Sequence, residues 1–444
     1  METGFLYLVT PTMTVPAHWP KSSPAPPPPP KPDTVIRNGR RYADVGSYPL
    51  PCDVKELSRQ TLWHELSREV YGSCSSIDFK AQTSPLPDRV LEIGCGSGSW
   101  SAAMNDEFEA LGKKGVQFTG VDVVDVCMSM EGVDWTFVKH DLMSVPLPFA
   151  EGEFDYVFAR DIMLCVPAMD MYTGLISEVL RVLKPGGLLE IQCSKTPSSP
   201  PSPLHCFNIA RRPGDYCIRT IQRTSASYIP GPSCYQIASL NTQFSPTSEN
   251  AYITQWNDRV RRTLDARGLS AQPCTIMGPS LLMQENMVNV VSRRYALPLD
   301  TIWWESPAAA AESAESPSSS STSSKRRSTG ASSVESLAGS SERYRKRGGS
   351  TGTSRGTRRS SLSGDGGFPS PLTEDERAVR HLAKLTFVQL IEALEPVIRE
   401  TCEVPEDEWD SWYRELMWSW FEGRGLRGGE CLEVGAWHGR KVNA

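Results

Sequence analysis

The feature that most constrains the fold is a series of short apolar segments between residues 90 and 192, separated by stretches of helical character. Four segments are predicted strands: Val90–Ile93, Phe118–Val123, Phe154–Ala159 and Leu188–Gln192. The helical pattern between them is clearest in Met171–Leu183, and the Lys-Pro-Gly-Gly sequence at 184–187 predicts a turn before the fourth strand. Nearly all-apolar strands that alternate with helices are typical of a parallel sheet covered on both faces. The sequence therefore predicts a doubly wound α/β fold.

Further elements are predicted on both sides of this region. Apolar residues at helical spacing predict four more helices: Asp53–Gly72, Tyr252–Leu269, Glu374–Cys402 and Glu406–Phe421. Short apolar runs predict two more strands, Met287–Leu297 and Cys431–Trp437. Residues 195–250 are irregular and rich in Ser and Pro, which predicts a long loop.

Two segments have compositions that disfavour a folded core. Residues 22–32 are dominated by proline, and residues 305–370 consist mostly of Ser, Gly, Ala, Thr and Arg. Because such segments bury little apolar surface, burial cannot offset the entropy lost on ordering. We therefore predict a disordered Pro-rich tail over 1–35 and a disordered Ser/Arg-rich insertion over 305–370.

The charges are distributed unevenly along the chain. Between 321 and 360, ten Lys or Arg stand against two Glu, whereas the net charge of the whole chain is −6. The remainder is therefore acidic, which disfavours nucleic acid as a partner of the folded part. The basic tract is compatible with a nuclear import signal, a loose polyanion contact or a solvated linker.

The spacing of the cysteines and the length of the apolar runs indicate whether the chain has a metal site and where in the cell it is expected. The 12 cysteines form no CxxC pair and no Cys/His spacing typical of zinc, so no metal site is predicted. The N-terminus lacks the basic segment of a signal peptide, and no apolar run approaches the length of a membrane span. We expect a cytoplasmic or nuclear protein with no membrane contact.

The most specific local pattern is Val90-Leu-Glu-Ile-Gly-Cys-Gly-Ser-Gly98, in which a strand runs into a glycine-rich turn. Dinucleotide-binding folds favour G-x-G-x-x-G, but Ser99 occupies the third glycine position of that spacing. Glu92 precedes the first glycine by two residues, where a carboxylate suits the ammonium of S-adenosylmethionine better than a pyrophosphate. This favours a methyltransferase over a nicotinamide-dependent reductase.

The following strands carry carboxylates suited to an adenosine-bearing cofactor. Asp122 ends the second strand, where it can accept hydrogen bonds from both ribose hydroxyls. Asp141 precedes a predicted turn, where it can accept from the adenine amino group. His140 beside it is expected to lie behind the adenine contacts.

The order of these motifs from 90 to 192 resembles the class I S-adenosylmethionine-dependent methyltransferases. The resemblance implies a Rossmann-like, seven-stranded, mostly parallel sheet that binds S-adenosylmethionine. It implies that Glu92, Gly94, Gly96 and Gly98 surround the methionine part, that Asp122 contacts the ribose and that Asp141 lies beside adenine. We expect further cofactor contacts from neighbouring residues: Cys95, Val123, Leu142 and Arg160.

A narrower resemblance extends to both ends of the chain. Asn38-Gly-Arg-Arg-Tyr42, Tyr48-Pro-Leu-Pro-Cys-Asp53 and Gly439-Arg-Lys441 are similar to segments of fungal methyltransferases of the LaeA-like and UMTA group. Motif I differs, since EIGCGSGSW stands where members of that group more often have DLGTGTGxW. The resemblance implies that Cys431–Lys441 is the last strand of the same sheet. The two parts of the chain on either side of the insertion then form one methyltransferase domain. Residues 36–304 contribute a helical N-terminal extension and the core, with the cofactor half at 88–195. Residues 371–444 contribute helices and the last strand.

The end of the predicted strand Phe154–Ala159 is expected to face the methyl group, because ligands of open α/β sheets bind at the carboxyl ends of the strands. Asp161 is a candidate to orient or deprotonate an acceptor, although an acid in this position more often caps the next helix. Arg160 is a candidate partner of the cofactor carboxylate or of an acidic substrate, with a structural ion pair as the alternative. A group of aromatic residues is expected to pack in the core rather than to line an acceptor pocket: Trp409, Trp412, Trp418, Trp420 and Phe421.

Two functions remain open from the sequence. One is an enzyme that methylates a small metabolite or a protein side chain. The other is a LaeA-like regulator that binds the cofactor, has little or no turnover and acts through protein partners of its disordered segments. The intact glycines and Asp122 favour cofactor binding in either case.

Overall fold

The computed structural model describes residues 34–44, 48–82, 84–127, 130–167, 170, 174–194, 218–221, 228–230, 233–237, 248–270, 273–305 and 372–443. The helices are α1 Val54–Tyr71, α2 Ser99–Ala110, α3 Ile176–Val182, α4 Ala251–Asp265, α5 Pro273–Leu282, α6 Glu374–Cys402 and α7 Glu406–Phe421. The first six strands are β1 Thr34–Arg37, β2 Arg40–Ala43, β3 Arg89–Ile93, β4 Gln117–Asp122, β5 Asp134–Lys139 and β6 Phe154–Arg160. The others are β7 Leu183–Ser194, β8 Arg219–Thr220, β9 Tyr228–Pro230, β10 Tyr235–Ile237, β11 Met287–Pro298 and β12 Glu430–Lys441.

The main sheet confirms the predicted α/β class. Its strand order is β5-β4-β3-β6-β7-β12-β11-β10-β9, with β8 paired to β12, and β1 and β2 form a separate hairpin. The five strands from β5 to β7 are parallel, and β12 is antiparallel to both of its neighbours, β7 and β11. Seven strands were expected, and the short strands β8, β9 and β10 extend the sheet to ten.

Alternate residues of the parallel strands pack on opposite faces of the sheet, as the pleat requires. Val90, Phe118 and Tyr156 pack with the buried side chains of α2, including Trp100. Leu91 and Val157 belong to a second cluster with buried residues of α3 and α5. Both faces are therefore covered by helices, which explains why the strands are almost continuously apolar.

A third cluster joins the N-terminal and C-terminal helices into one layer. It contains Leu66 of α1, Trp256 of α4, Ile391 of α6 and Trp409 of α7. The predicted packing of Trp409, Trp412 and Trp420 is confirmed, since all three are buried in this cluster. The same prediction is wrong for Trp418 and Phe421, which are 62% and 41% exposed because they lie on the outer face of α7.

Several local predictions need correction. Strand β5 was not predicted, because as an edge strand it has an alternating, half-exposed pattern in place of a continuous apolar run. Residues 184–187 belong to the start of β7, where a register irregularity against β6 accommodates them. Helix α4 ends at Asp265 rather than Leu269, because Gly268 adopts a positive φ of 68° in the closing turn.

Parts of the predicted organisation lie outside the described residues. These are positions 1–33 of the predicted tail and 306–370 of the predicted insertion, which remain predictions. At the boundaries the prediction of disorder is wrong, since Thr34 and Val35 belong to β1 and Glu305 ends a short 3₁₀ helix. Within the described residues, no helix is both long enough and apolar enough to cross a membrane.

Candidate active site

The glycine turn between β3 and α2 has the conformation that its sequence demands. Gly94, Gly96 and Gly98 have φ values of +67°, +48° and +73°, a region that side chains with a Cβ rarely adopt. The amides of Gly94 and Cys95 donate to the carbonyl of Val121 at 2.9 and 3.2 Å. These bonds tie the turn to β4 and place it at the carboxyl ends of the parallel strands.

A cavity of about 150 Å³ lies beside this turn. It is lined by ten of the residues predicted for the site: Glu92, Gly94, Cys95, Gly96, Asp122, Val123, Asp141, Leu142, Arg160 and Asp161. Gly98 is the exception, because it is the N-cap residue of α2 and does not line the cavity. The sheet thus brings together residues that are up to 69 positions apart in the chain.

Asp122 is fixed at the end of β4 by two backbone amides. Its Oδ2 accepts from the Gly96 amide at 2.9 Å, and its Oδ1 accepts from the Val123 amide at 2.7 Å. Burial raises the pKa of Asp122, and the hydrogen bonds from these amides oppose the rise. The carboxylate is therefore held in one orientation at the edge of the cavity, with acceptor capacity left for a ligand.

Glu92 is a buried carboxylate near the end of β3. Its Oε2 accepts from the Ser101 hydroxyl of α2 at 2.6 Å, and only 4% of the residue is exposed. Burial raises the pKa of Glu92 to about 7, against the lowering effect of the Ser101 bond and the charge of Arg160. A cationic ligand group in the cavity would stabilise the ionised form.

Asp141 lies in the loop that follows β5. Its Oδ1 accepts from the Met143 amide at 2.9 Å, which closes a local turn, and Leu142 beside it is buried. The Nε2 of His140 lies 2.6 Å from the Ser144 carbonyl. His140 does not line the cavity.

Asp161 directly follows β6 and has a backbone conformation unusual for a residue with a side chain. Its φ of 54° places it in the left-handed region, where strain is typically concentrated at functional sites. It is the N-cap residue of the short 3₁₀ helix Ile162–Leu164, but its side chain makes no capping hydrogen bond. The interpretation of Asp161 as a helix-capping side chain is therefore wrong, whereas its place on the cavity wall fits the acceptor hypothesis.

Arg160 ends β6 and borders the cavity next to Glu92. Its Nη1 donates to the Nδ1 of His64 on α1 at 3.1 Å. Burial lowers the pKa of Arg160, and the nearby charges of Glu92 and Asp161 counteract this only in part. The guanidinium is thus a cation that would gain stability from an anionic ligand.

The wall opposite the sheet was not predicted as part of the site. It comprises Tyr48, Leu50, Arg59, Gln60 and Trp63 from the N-terminal segment and α1, together with Leu390 of α6. Gln60 covers the glycine turn so closely that a Cβ on Gly96 would lie 2.5 Å from its Oε1. The only sequence signal for this wall was the resemblance of the Tyr48–Asp53 segment to the fungal group.

A chain of charged contacts fixes this N-terminal wall. Arg40 of β2 binds both carboxylate oxygens of Asp53, at 2.5 and 2.8 Å, and Asp53 caps α1 through the Glu56 amide. Buried Glu56 in turn accepts from Arg59 Nε and Nη2 at 2.8 and 2.6 Å, and from Gln60 at 3.0 Å. Burial alone would lower the pKa of Arg59, but Glu56 outweighs it and raises the pKa.

Cys95, within the glycine turn, lies in contact with Cys127. The Cys127 thiol donates to the Gly96 carbonyl at 3.4 Å, and contact with Cys127 together with burial raises the pKa of Cys95 well above its usual range. The Cys95 thiol is therefore protonated and has a packing role. Within the described residues, no group of three His, Cys, Asp or Glu side chains is placed to hold a metal ion.

Comparison with known proteins identifies the class. Residues 90–187 match the family model described as "Methyltransferase domain". This part of the chain is a class I methyltransferase domain, of the class that uses S-adenosylmethionine, as its motifs imply.

More specific relatives cover only part of their own lengths. The chain is 27% identical over 174 residues to the secondary metabolism regulator laeA of Coprinopsis cinerea, covering 36% of this chain and 40% of that protein. It is 35% identical over 124 residues to the demethylmenaquinone methyltransferase of Staphylococcus epidermidis, covering 26% and 46%. The chain therefore spans less than half the length of these relatives.

The structure of phosphoethanolamine N-methyltransferase 2 of Haemonchus contortus with S-adenosyl-L-methionine aligns with a TM-score of 0.32 and 12% identity, over 86% of this chain and 53% of that one.

Proposed function

We propose that the protein is an S-adenosylmethionine-dependent methyltransferase that acts on a small molecule or a protein side chain. The observation that carries this proposal is the set of three carboxylates around one glycine-turn cavity: Glu92, Asp122 and Asp141. They lie near the ends of three adjacent parallel strands, β3, β4 and β5. Their order matches the methionine, ribose and adenine parts of the cofactor.

The donor set of the cavity fits that cofactor. Glu92 would bind the ammonium, Asp122 would accept from the ribose hydroxyls, and Asp141 would accept from the adenine amino group. Gly94 and Gly96 leave the cavity wall without side chains, so the ligand can approach the backbone closely. Cys95, Val123 and Leu142 would provide van der Waals contacts along the same surface.

When bound, the cofactor would supply an electrophilic methyl group on a sulfonium. The residues of this chain would hold the two reactants in line and exclude water, and positioning of this kind can lower a barrier by roughly 7–11 kcal/mol in favourable cases. Asp161 would orient the acceptor at the end of β6 and accept its proton if that group is a hydroxyl. Tyr48, Leu390 and Trp63 would close the acceptor side.

A cofactor-binding regulator with little turnover is the second candidate, favoured by the similarity to the laeA regulator of Coprinopsis cinerea. In that case, protein partners would bind the segments predicted to be disordered. Both candidates require the same cofactor site, so cofactor binding is the first property to test.

The test is calorimetric titration of the full chain with S-adenosylmethionine, and separately with NADH. We expect saturable binding of S-adenosylmethionine alone, weakened at least tenfold by Asp122→Ala and by Gly96→Arg. Asp78→Ala is the matched control for the first variant, because Asp78 also accepts from two backbone amides but lies outside the cavity. Gly112→Arg is the control for the second, since Gly112 has a positive φ and open space around its Cβ position.

Absence of S-adenosylmethionine binding by the folded wild-type protein would refute both candidates. Binding followed by methyl transfer in an acceptor screen would favour the enzyme. Binding without transfer to any small-molecule or protein acceptor would favour the regulator.

A further inference from the structure

His64 of α1 is buried against the active site although it does not line the cavity. Only 2% of its surface is exposed, and its Nδ1 accepts a hydrogen bond from Arg160 Nη1 at 3.1 Å. Burial, together with the charges of Arg160 and Arg68, lowers the pKa of His64 to about 3. The imidazole is therefore neutral at physiological pH and can act as an acceptor toward a cation.

The direction of this hydrogen bond determines the tautomer. A neutral imidazole has one donor and one acceptor nitrogen, and Nδ1 is the acceptor here, so the proton is on Nε2. Nε2 is buried without a hydrogen-bond partner among the described residues. A buried donor without a hydrogen-bond partner lowers the stability of the fold, so His64 is destabilising at Nε2 while it binds Arg160 at Nδ1.

The contact joins two parts of the site that are far apart in sequence. Arg160 ends a central strand of the sheet, whereas His64 belongs to the helix that forms the opposite wall of the cavity. The hydrogen bond from Nη1 fixes one edge of the guanidinium, and because the group is planar this also fixes the directions of its remaining N–H groups. Glu92 lies close enough for the two charges to influence each other.

The cavity contains a second arginine, Arg59, but two of its N–H donors are already used and its charge already has a carboxylate partner. Arg59 Nε and Nη2 both bind the buried carboxylate of Glu56, which compensates its charge. Arg160 instead donates to a neutral partner, so its charge is less compensated. Of the two cations, Arg160 is therefore better suited to bind an anion inside the cavity.

We propose that His64 is a positioning residue that holds the Arg160 guanidinium toward the α-carboxylate of the cofactor, while Glu92 faces the α-ammonium. This inference rests on the proposed function, because it assigns the amino-acid end of S-adenosylmethionine to Glu92 and Arg160. It gives α1 a role in cofactor recognition, and it explains why a neutral, buried histidine contacts an arginine.

The experiment compares S-adenosylmethionine with decarboxylated S-adenosylmethionine, which keeps the adenosine, the sulfonium and the ammonium but lacks the carboxylate. Binding of each ligand to the full chain is measured by calorimetry for wild type, Arg160→Met, His64→Leu and His64→Asn. Asn can present an acceptor oxygen near the position of Nδ1, whereas Leu cannot. Ser67→Ala is the control, because it removes another buried hydrogen bond of α1, to the Trp63 carbonyl, without contacting Arg160.

We expect Arg160→Met and His64→Leu to weaken S-adenosylmethionine binding by roughly tenfold or more, as for the loss of a hydrogen bond to a charged group. Binding of the decarboxylated ligand should change by less than about threefold, because that ligand lacks the group that Arg160 contacts. His64→Asn should restore much of the lost affinity, and Ser67→Ala should bind both ligands as wild type does.

A parallel loss of affinity for both ligands in His64→Leu would show that the histidine only supports the fold, and would overturn the inference. Unchanged affinity for S-adenosylmethionine in His64→Leu or Arg160→Met would also overturn it. Failure of the folded wild type to bind either ligand would overturn the proposed function itself, so the two failures are distinguishable.

Discussion

Gly120 on β4 has no space for an additional methyl group. A Cβ at this position would lie 2.1 and 2.4 Å from two ring atoms of Trp135 and 2.8 Å from the Cys95 sulfur. All three distances are shorter than any normal carbon contact, and Trp135 and Cys95 belong to the neighbouring β5 and to the glycine turn. Overpacking of a core typically costs 1–3 kcal/mol. Because two separate elements must shift, we expect Gly120→Ala to lower the free energy of unfolding by about 3 kcal/mol.

The measurement is equilibrium urea unfolding of wild type and Gly120→Ala, with S-adenosylmethionine titration at low denaturant. Cofactor affinity should also fall, because displacement of Cys95 moves the turn that Asp122 holds. Gly174→Ala is the matched control, since its Cβ would be 3.8 Å from the nearest side-chain atom and its φ is not in the left-handed region. A loss of less than about 0.5 kcal/mol in Gly120→Ala would refute this account of β4 packing.

Two further predictions concern carboxylates. Burial raises the pKa of Glu92 to about 7, so its ionised form is lost as the pH falls through 7. The affinity for S-adenosylmethionine, measured by calorimetry, should therefore fall as the pH is lowered from about 8 to about 5.5. Glu92→Gln should bind the cofactor more weakly and with less dependence on pH, whereas a pH-independent affinity of the wild type would contradict the role of Glu92. Tyr156 donates to buried Glu190 at 2.6 Å, and Tyr413 donates to Glu392 at 2.6 Å in an exposed setting. In urea unfolding, Tyr156→Phe should cost about 1.5–3 kcal/mol and Tyr413→Phe less than about 0.5 kcal/mol, and equal costs would contradict the burial argument.

Much of the cofactor half follows from local sequence. The strands at Val90, Phe118 and Phe154 were predicted because buried parallel strands are short and apolar, and the structure begins each within one residue of the predicted position. Helix α1 was predicted over Asp53–Gly72, and the structure makes these two residues its caps, since both are residue types that helix ends favour. The glycine turn was likewise predictable, because three of its residues have a positive φ, a conformation that favours glycine.

The wall of the cavity opposite the sheet could not be predicted in the same way. His64, Arg59 and Gln60 belong to a helix whose sequence shows only which residues are apolar, and nothing local indicates that its polar residues face a cavity. Arg160 was a candidate from its position after β6, but its partner His64 is 96 positions away in the chain.

The sequence alone determined the α/β class, the glycine turn and the carboxylates at the strand ends, because each depends on residues close together in the chain. The tertiary structure alone decided the second wall of the cavity and the pairing of Arg160 with His64. Both depend on how α1 packs against α6 and the end of the sheet. That packing results from many weak apolar contacts between distant segments, none of which has a recognisable pattern in the sequence.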